Sequence, residues 1–305
     1  DRDADVRGRD DLPVKDRGLD VRGVLGETVI DFPVADNKTN AEAMAYVEKF
    51  VKRWQGHELI VAAIAPHAPY TVSEDHLKAA RAFSDRTGAP IVTHISETKR
   101  EVDDSVKAHG ASPIAYLDRI GFLGERVIAA HVVWPQGTDL QILKKHGVGV
   151  IHNPQSNMKL AAGVAPVPEM MKEELRVGLG TDGAASNNDL SMWEEMDSAA
   201  KLHKVMSNDP KVMSAQEAFE LATIRGAEAL HLEKEIGSLE VGKRADLLMR
   251  SNWAKRVLFL ADRVALGPVV ARRDEVGGQR RACGQGGEGR QHPRPERRVR
   301  RLGQR

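Results

Sequence analysis

The chain has 305 residues, 41% of them hydrophobic, and its 45 Lys+Arg against 44 Asp+Glu leave a formal net charge of +1. That is enough apolar material for one large domain or two small ones, and the balance gives no whole-molecule attraction to nucleic acid or to an anionic membrane. One cysteine, Cys283, excludes an internal disulfide framework and a cysteine-based zinc cluster. With no apolar run of the roughly 18 residues a span needs and no charged-then-apolar leader, a cytoplasmic protein is expected.

Residues 1–20, "DRDADVRGRDDLPVKDRGLD", are charged or turn-forming and predict an atypical charged tail. From residue 21 short apolar runs alternate with helical patterns. The runs are "VRGVLGETVIDF" (21–32), "LIVAAIAPHA" (59–68), "APIVTHISE" (89–97), "RVIAAH" (126–131), "GVGVIHNP" (147–154) and "RVGLGTDG" (176–183). Between them "AEAMAYVEKFVKRW" puts Ala43, Tyr46, Val47, Phe50 and Val51 on one stripe, and "SEDHLKAARAFSDRTG" has an acidic start and a Gly stop. The runs are apolar on both parities, as parallel strands covered on both faces should be. Two helices are then predicted near "LSMWEEMDSAAKLHKV" and "SAQEAFELATIRGAEAL", followed by a Gly-flanked strand pair in "GSLEVGKRADLLM". Residues 250–305 are rich in Arg and Gly and predict a disordered tail. The abrupt change at both borders suggests a coding sequence read in another frame before about residue 20 and after about residue 249. A basic tail that binds nucleic acid is the weaker expectation, because aromatic interleaving is lacking.

Polar residues close successive runs: His67, His94, His131, His152 and Asp182, at intervals of 27, 37, 21 and 30. These intervals are near the roughly 30 residues of a βαβ unit. Polar groups at successive strand ends suit a (β/α)8 barrel, whose active site lies at the C-terminal ends of its strands. A doubly wound sheet would call for a Gly-rich phosphate loop after the first strand, and none is there. Six units are found where a full barrel has eight. The expected fold is therefore an α/β, incomplete TIM (β/α)8 barrel over 21–235, with a remnant of a small β-sandwich over 236–249.

A strand that ends in His94 with Glu97 just beyond can deliver a metal ligand and a proton shuttle to one space. Taken alone, a hydrogen-bonded strand-end His is the more common arrangement. Asp182 shares a parity with Gly178 and Gly180, so the sequence suggests room beneath it for a ligand. His94, His131 and Asp182 at three different strand ends form a combination that folding needs alone seldom produce. His67, held between two prolines, is a candidate substrate contact. His152 and Asn153 read as structural support of the mouth, and His57, His76, His109, His146, His203, His231 and His292 as surface residues.

The series "PHAPYT", "THISE", "AAH", "HNPQSNMKLAAGVAPV" and "GLGTDGAASNN", in that order over about residues 21–249, resembles the amidohydrolase superfamily. Its nearest likeness is to the branch of methylthioadenosine/S-adenosylhomocysteine deaminases and the related triazine hydrolases. The resemblance implies a metal-dependent aminohydrolase with one divalent ion, most often zinc, held by His94 and Asp182. Glu97 would bind and protonate the ring nitrogen, His131 would position the hydrolytic water, Asp182 would accept its proton and His67 would contact the substrate. It implies hydrolytic deamination of an adenosine-type compound, S-adenosylhomocysteine or 5'-methylthioadenosine, to the inosine-type product and ammonia. The implied partners are a small-molecule substrate, neither nucleic acid nor membrane, and in some members a second copy of the chain. Members of the family carry a His-x-His pair on their first strand; this sequence has none, and its first run corresponds to a third strand. Glu27 stands where adenosine-type members are expected to have an Arg. A triazine or other heterocycle amino- or chlorohydrolase remains an alternative, as does a catalytically inactive fragment with unpaired sheet edges.

Overall fold

A computed structural model describes residues 22–244 and 246, together with the backbone of 248–249 and 257–258. The expected tails at 1–20 and 250–305, Cys283 and His292 included, lie outside the described residues apart from the backbone of 257–258. Six parallel strands follow one another in space in chain order: β1 (Gly23–Val29), β2 (Ile60–Pro66), β3 (Ile91–Ile95), β4 (Val127–His131), β5 (Gly149–His152) and β6 (Arg176–Leu179). In register, Glu27 pairs with Ile64, Ile64 with Ile91, His94 with Ala130, and His152 with Leu179. Sequential order with a helix after each strand is the arrangement of a (β/α)8 barrel, of which six strands are described. Within this sheet β1 and β6 are the edges.

Each connection begins and ends where local chemistry dictates. Helix α1 (Asn40–Trp54) starts at Thr39, whose hydroxyl accepts from Glu42 N. Helix α2 (Glu74–Thr87) stops at Gly88, whose φ of 77° only a residue without Cβ adopts freely. Helix α3 (Lys99–His109) starts at Thr98, which accepts from Glu101 N. Shorter helices follow: α4 (Pro113–Arg119), α5 (Asp139–Lys145), α6 (Pro154–Lys159) and α7 (Val167–Lys172). After β6 comes α8 (Met192–Ser207), then α9 (Ala215–Leu221) and α10 (Ile224–Ala229).

The two strand parities bury against different things. Ile91, Ile95, Val127, Ala129, Val150 and Val177 pack outward with helix residues such as Val47, Leu77, Phe83, Leu117 and Leu143. Val24, Ala63, Ala65, Val92, Ile128 and Ile151 form a separate inner cluster, closed by Ala229 and Leu230 at the end of α10. On β5 and β6 glycines stand on this inner face where α10 lies almost on the strands: a Cβ at Gly178 would sit 2.8 Å from Gly226 Cα.

Two expectations are corrected. The segment "SAQEAFELATIRGAEAL" reads as one helix but breaks at Thr223, whose φ of −130° and ψ of −102° are not helical. The break lets α10 turn onto β5 and β6 while α9 stays with α8. In "GSLEVGKRADLLM" the described residues hold one strand rather than a pair, β7 (Leu248–Met249), and it pairs antiparallel with β8 (Val257–Leu258) beyond that stretch. Among the described residues no helix is long and apolar enough to cross a membrane.

Candidate metal centre

Three strand ends converge at the C-terminal rim. One ligand atom each from His94, His131 and Asp182 lies within 4.8 Å of the others. His94 reaches the rim by strand alternation, sharing the inner parity of Val92. His131 does not, since by alternation it belongs with the outward Val127 and Ala129. Its φ of 73°, followed by 45° at Val132, ends the alternation there, and Asp182 has a φ of 59°. Left-handed backbone at non-glycine residues costs on the order of 1–3 kcal/mol each and persists only where the surroundings impose it.

Each imidazole is oriented by its other nitrogen. His94 Nδ1 donates to the His67 carbonyl at 2.6 Å, and His131 Nδ1 donates to Asn157 Oδ1 at 2.9 Å. Both Nε2 lone pairs are thereby left for a cation. Burial first, and then the neighbouring His131, push the His94 pKa down, which keeps that ring neutral. At Asp182 burial acts to raise the pKa, but hydrogen bonds outweigh it and the net shift is down. Ser156 Oγ and Ser186 Oγ donate to Oδ2 at 2.6 and 2.7 Å, and Gly183 N donates to Oδ1 at 2.7 Å. Two imidazoles and one carboxylate are a donor set that suits a divalent transition metal.

Glu97 stands beside this set, its Oε2 3.8 Å from His131 Nε2. Its backbone is held by Glu101, whose buried carboxylate accepts from Ser96 N at 2.8 Å and Glu97 N at 2.7 Å. His67 is half-buried, with Nδ1 2.9 Å from Thr71 Oγ1, and its ring centroid is 5.0 Å from that of His94. Burial and the nearby His94 lower its pKa to about 4. Besides any contact with a substrate, His67 therefore supplies the carbonyl that orients His94. A cavity of about 660 Å³ lined by Asp31, Phe32, Tyr70, Glu101 and Tyr116 contains none of the three convergent side chains.

Other sequence expectations are placed differently. The positions beneath Asp182 are not open: a Cβ at Gly180 would meet Ile151 Cγ2 at 2.6 Å and Asn153 Nδ2 at 2.8 Å. The glycines serve close packing there. His203 is not a surface residue; it is 2% exposed on α8, with Nε2 3.2 Å from His152 Nε2. That contact places His152 on the outer side of β5, toward α8, while its ring still feels His131 of the trio. Ser156, Asn157, Ser186, Glu101 and Glu195 contribute to the site's frame and were not singled out from sequence. The first three lie within the quoted "HNPQSN" and "TDGAASNN" stretches, and that is the signal they leave.

Comparison with known proteins places this geometry. The amidohydrolase family profile matches residues 14–262, extending on both sides of the stretch marked by the motifs. The chain belongs to the amidohydrolase family. This amidohydrolase is 43% identical over 231 residues to a 5-methylthioadenosine/S-adenosylhomocysteine deaminase of Thermodesulfovibrio yellowstonii, covering 76% of the chain and 53% of that protein. It is 44% identical over 230 residues to a 5'-deoxyadenosine deaminase of Methanobrevibacter smithii, covering 75% and 53%. Among solved structures, an adenosine deaminase from Xanthomonas campestris with bound zinc superposes with a TM-score of 0.73 at 39% identity, covering 75% of this chain and 52% of that one. The amidohydrolase described here thus spans about half the length of the curated relatives it matches.

Proposed function

We propose that this chain carries the metal-binding and proton-transfer part of an aminohydrolase acting on an adenosine-type nucleoside, with S-adenosylhomocysteine or 5'-methylthioadenosine as the substrates the relatives' names favour. The observation that carries the reading is the placement of Glu97 against the His94, His131 and Asp182 cluster. A zinc-type donor set beside one further carboxylate is what addition of water to a purine and departure of its amine require. Such an ion, when bound, supplies Lewis acidity and lowers the pKa of water toward neutrality.

The chain's own residues do the rest. His94 and Asp182, with His131 beside them, are the groups that hold the ion. Asp182, kept ionised by Ser156 and Ser186, takes a proton from the water. Glu97 holds the ring nitrogen and gives it a proton as the C–O bond forms at the purine carbon, and the C–N bond to the exocyclic amine then breaks. The proton held by Asp182 passes to the departing amine, which leaves as ammonia, and the hydroxyl proton returns to Glu97 as the oxygen becomes the inosine-type carbonyl. His131 directs the water, and His67 contacts the nucleoside while fixing His94.

The test is ammonia release from S-adenosylhomocysteine, 5'-methylthioadenosine and 5'-deoxyadenosine, run beside chloride release from a chlorotriazine. Ammonia from the nucleosides is expected. Glu97→Gln should lower turnover by about 10²-fold or more, the usual worth of a positioned acid–base group, while bound metal is unchanged. Chloride release without ammonia would replace the nucleoside reading. Full activity in Glu97→Gln would remove Glu97 from the mechanism.

A further inference from the structure

The candidate ligands are framed by one short helix and one loop. Helix α6 uses three successive residues: Gln155 reaches α8, Ser156 bonds Asp182, and Asn157 bonds His131. The loop after Asp182 adds Ser186 on the same carboxylate. Helix and loop are stitched at the surface by Lys159 Nζ, which donates to Ala185 O at 2.8 Å and Asn188 Oδ1 at 2.6 Å. Beneath them one buried group touches both. Glu195 of α8 is 0% exposed. Its Oε2 accepts from Gln155 N at 3.2 Å, and its Oε1 accepts from Asn187 Nδ2. Asn187 in turn accepts from Leu190 N at 3.0 Å and gives its own N–H to Gly183 O at 2.9 Å, which closes the loop on itself.

We infer that Glu195 is the positioning residue of the metal centre, a buried carboxylate that fixes α6 and the Asp182 loop in one arrangement and so sets the directions of His131 and Asp182. The inference rests on the proposed metal site and deepens it. Both partners of Glu195 are N–H donors, so an acceptor-only carboxylate satisfies both at once. A carboxamide of the same shape presents one acceptor and one donor, and must turn a donor toward a donor. A burial site that merely anchored α8 would ask only for bulk, which Gln supplies as well as Glu. A carboxylate is costly in such a place, since burial drives its pKa up to about 7. The carboxylate is retained where only a double acceptor spans the two frame elements.

The experiment is hydrogen exchange at about pH 8, above the Glu195 pKa of about 7, on the metal-free full chain, with cobalt(II) titration of the same samples, for wild type, Glu195→Gln and Asn187→Ala. In Glu195→Gln the amides of 155–160 and 183–190 should exchange about ten-fold faster, as expected for loss of one hydrogen bond to a charged group. Those of the distal half of α8, 200–207, should be unchanged. Asn187→Ala cuts only the loop arm, so 183–190 should loosen while 155–160 keeps wild-type protection. Cobalt(II) should bind Glu195→Gln about ten-fold more weakly with an altered visible spectrum, in line with outer partners of metal ligands. Faster exchange confined to α8, or wild-type exchange in both segments, overturns the inference. If the wild-type chain takes up no cobalt, the metal reading fails separately and the exchange pattern still decides the tie.

Discussion

At His131 a single hydrogen bond decides what the side chain can do. Its Nδ1 is committed to Asn157 Oδ1 at 2.9 Å inside a buried pocket, which fixes the tautomer and leaves Nε2 facing the site. Without that acceptor either nitrogen can carry the proton, and half the ring's orientations turn the lone pair away. Asn157→Ala is therefore expected to weaken zinc binding by about 10–100-fold, the range found when the hydrogen-bond partner of a ligating imidazole is lost. Competition against a chelating dye measures it. An unchanged affinity would mean that packing alone orients His131. Asn157 sits one residue from Ser156, so the two neighbours serve two different strand ends.

The docking of α10 on the strands shows how tightly elements are specified. Gly149 faces the helix so closely that an added Cβ would lie 1.8 Å from the Ala229 carbonyl oxygen. Backbone cannot step aside as a side chain can, so Gly149→Ala should cost at least about 3 kcal/mol, the upper end of overpacking penalties. Urea unfolding reads it as a lower midpoint, and a wild-type midpoint would deny the contact. This level is also where reading the sequence alone falls short. The six strands are legible because each is an apolar run, five of them closed by a His or Asp, and because parallel strands are apolar on both parities. The convergence of His94, His131 and Asp182 was legible from three strand ends. The break at Thr223 was not, because its helical pattern continues unbroken and only the need to lay α10 across β5 and β6 turns the chain. Gly178 and Gly180 suggest room for a ligand in sequence, since no local pattern tells an empty space from one filled by Gly226, Ile151 or Asn153. Ser156 and Glu195 went unmarked because their partners lie 26 and 40 residues away in the chain.

Across the whole molecule, buried titratable groups pull stability in opposite directions with pH. Glu27 and Glu195 are both raised from 4.5 to about 7, burial being the largest cause and, for Glu27, Asp36 the next. His203 is lowered from 6.5 to about 4 by burial, and His152 lies well below the ordinary value for the same reason. For a carboxyl whose folded pKa is raised, the unfolded chain gives up its proton first. Its stabilising share is complete below about pH 4.5 and is lost as pH climbs through about 7. For a depressed imidazole the share is complete above about 6.5 and is lost as pH falls toward about 4. Both slopes occupy the same interval with opposite signs, so wild-type stability between them should vary less with pH than either set alone would dictate. Removing one carboxyl uncovers the balance. Glu27 lies far from the metal centre in the chain, on the outward parity of β1 shared with Val29, and its carboxylate accepts from Asn37 Nδ2 at 3.5 Å. Glu27→Gln should therefore raise stability at pH 8 by about 2 kcal/mol, discounted for the group's partial exposure, and should match wild type near pH 4.5. Thermal melts of both proteins across that range test it. A gain that is the same at every pH would assign the effect to packing, and a loss at pH 8 would mean that the ionised carboxylate is held by a cation.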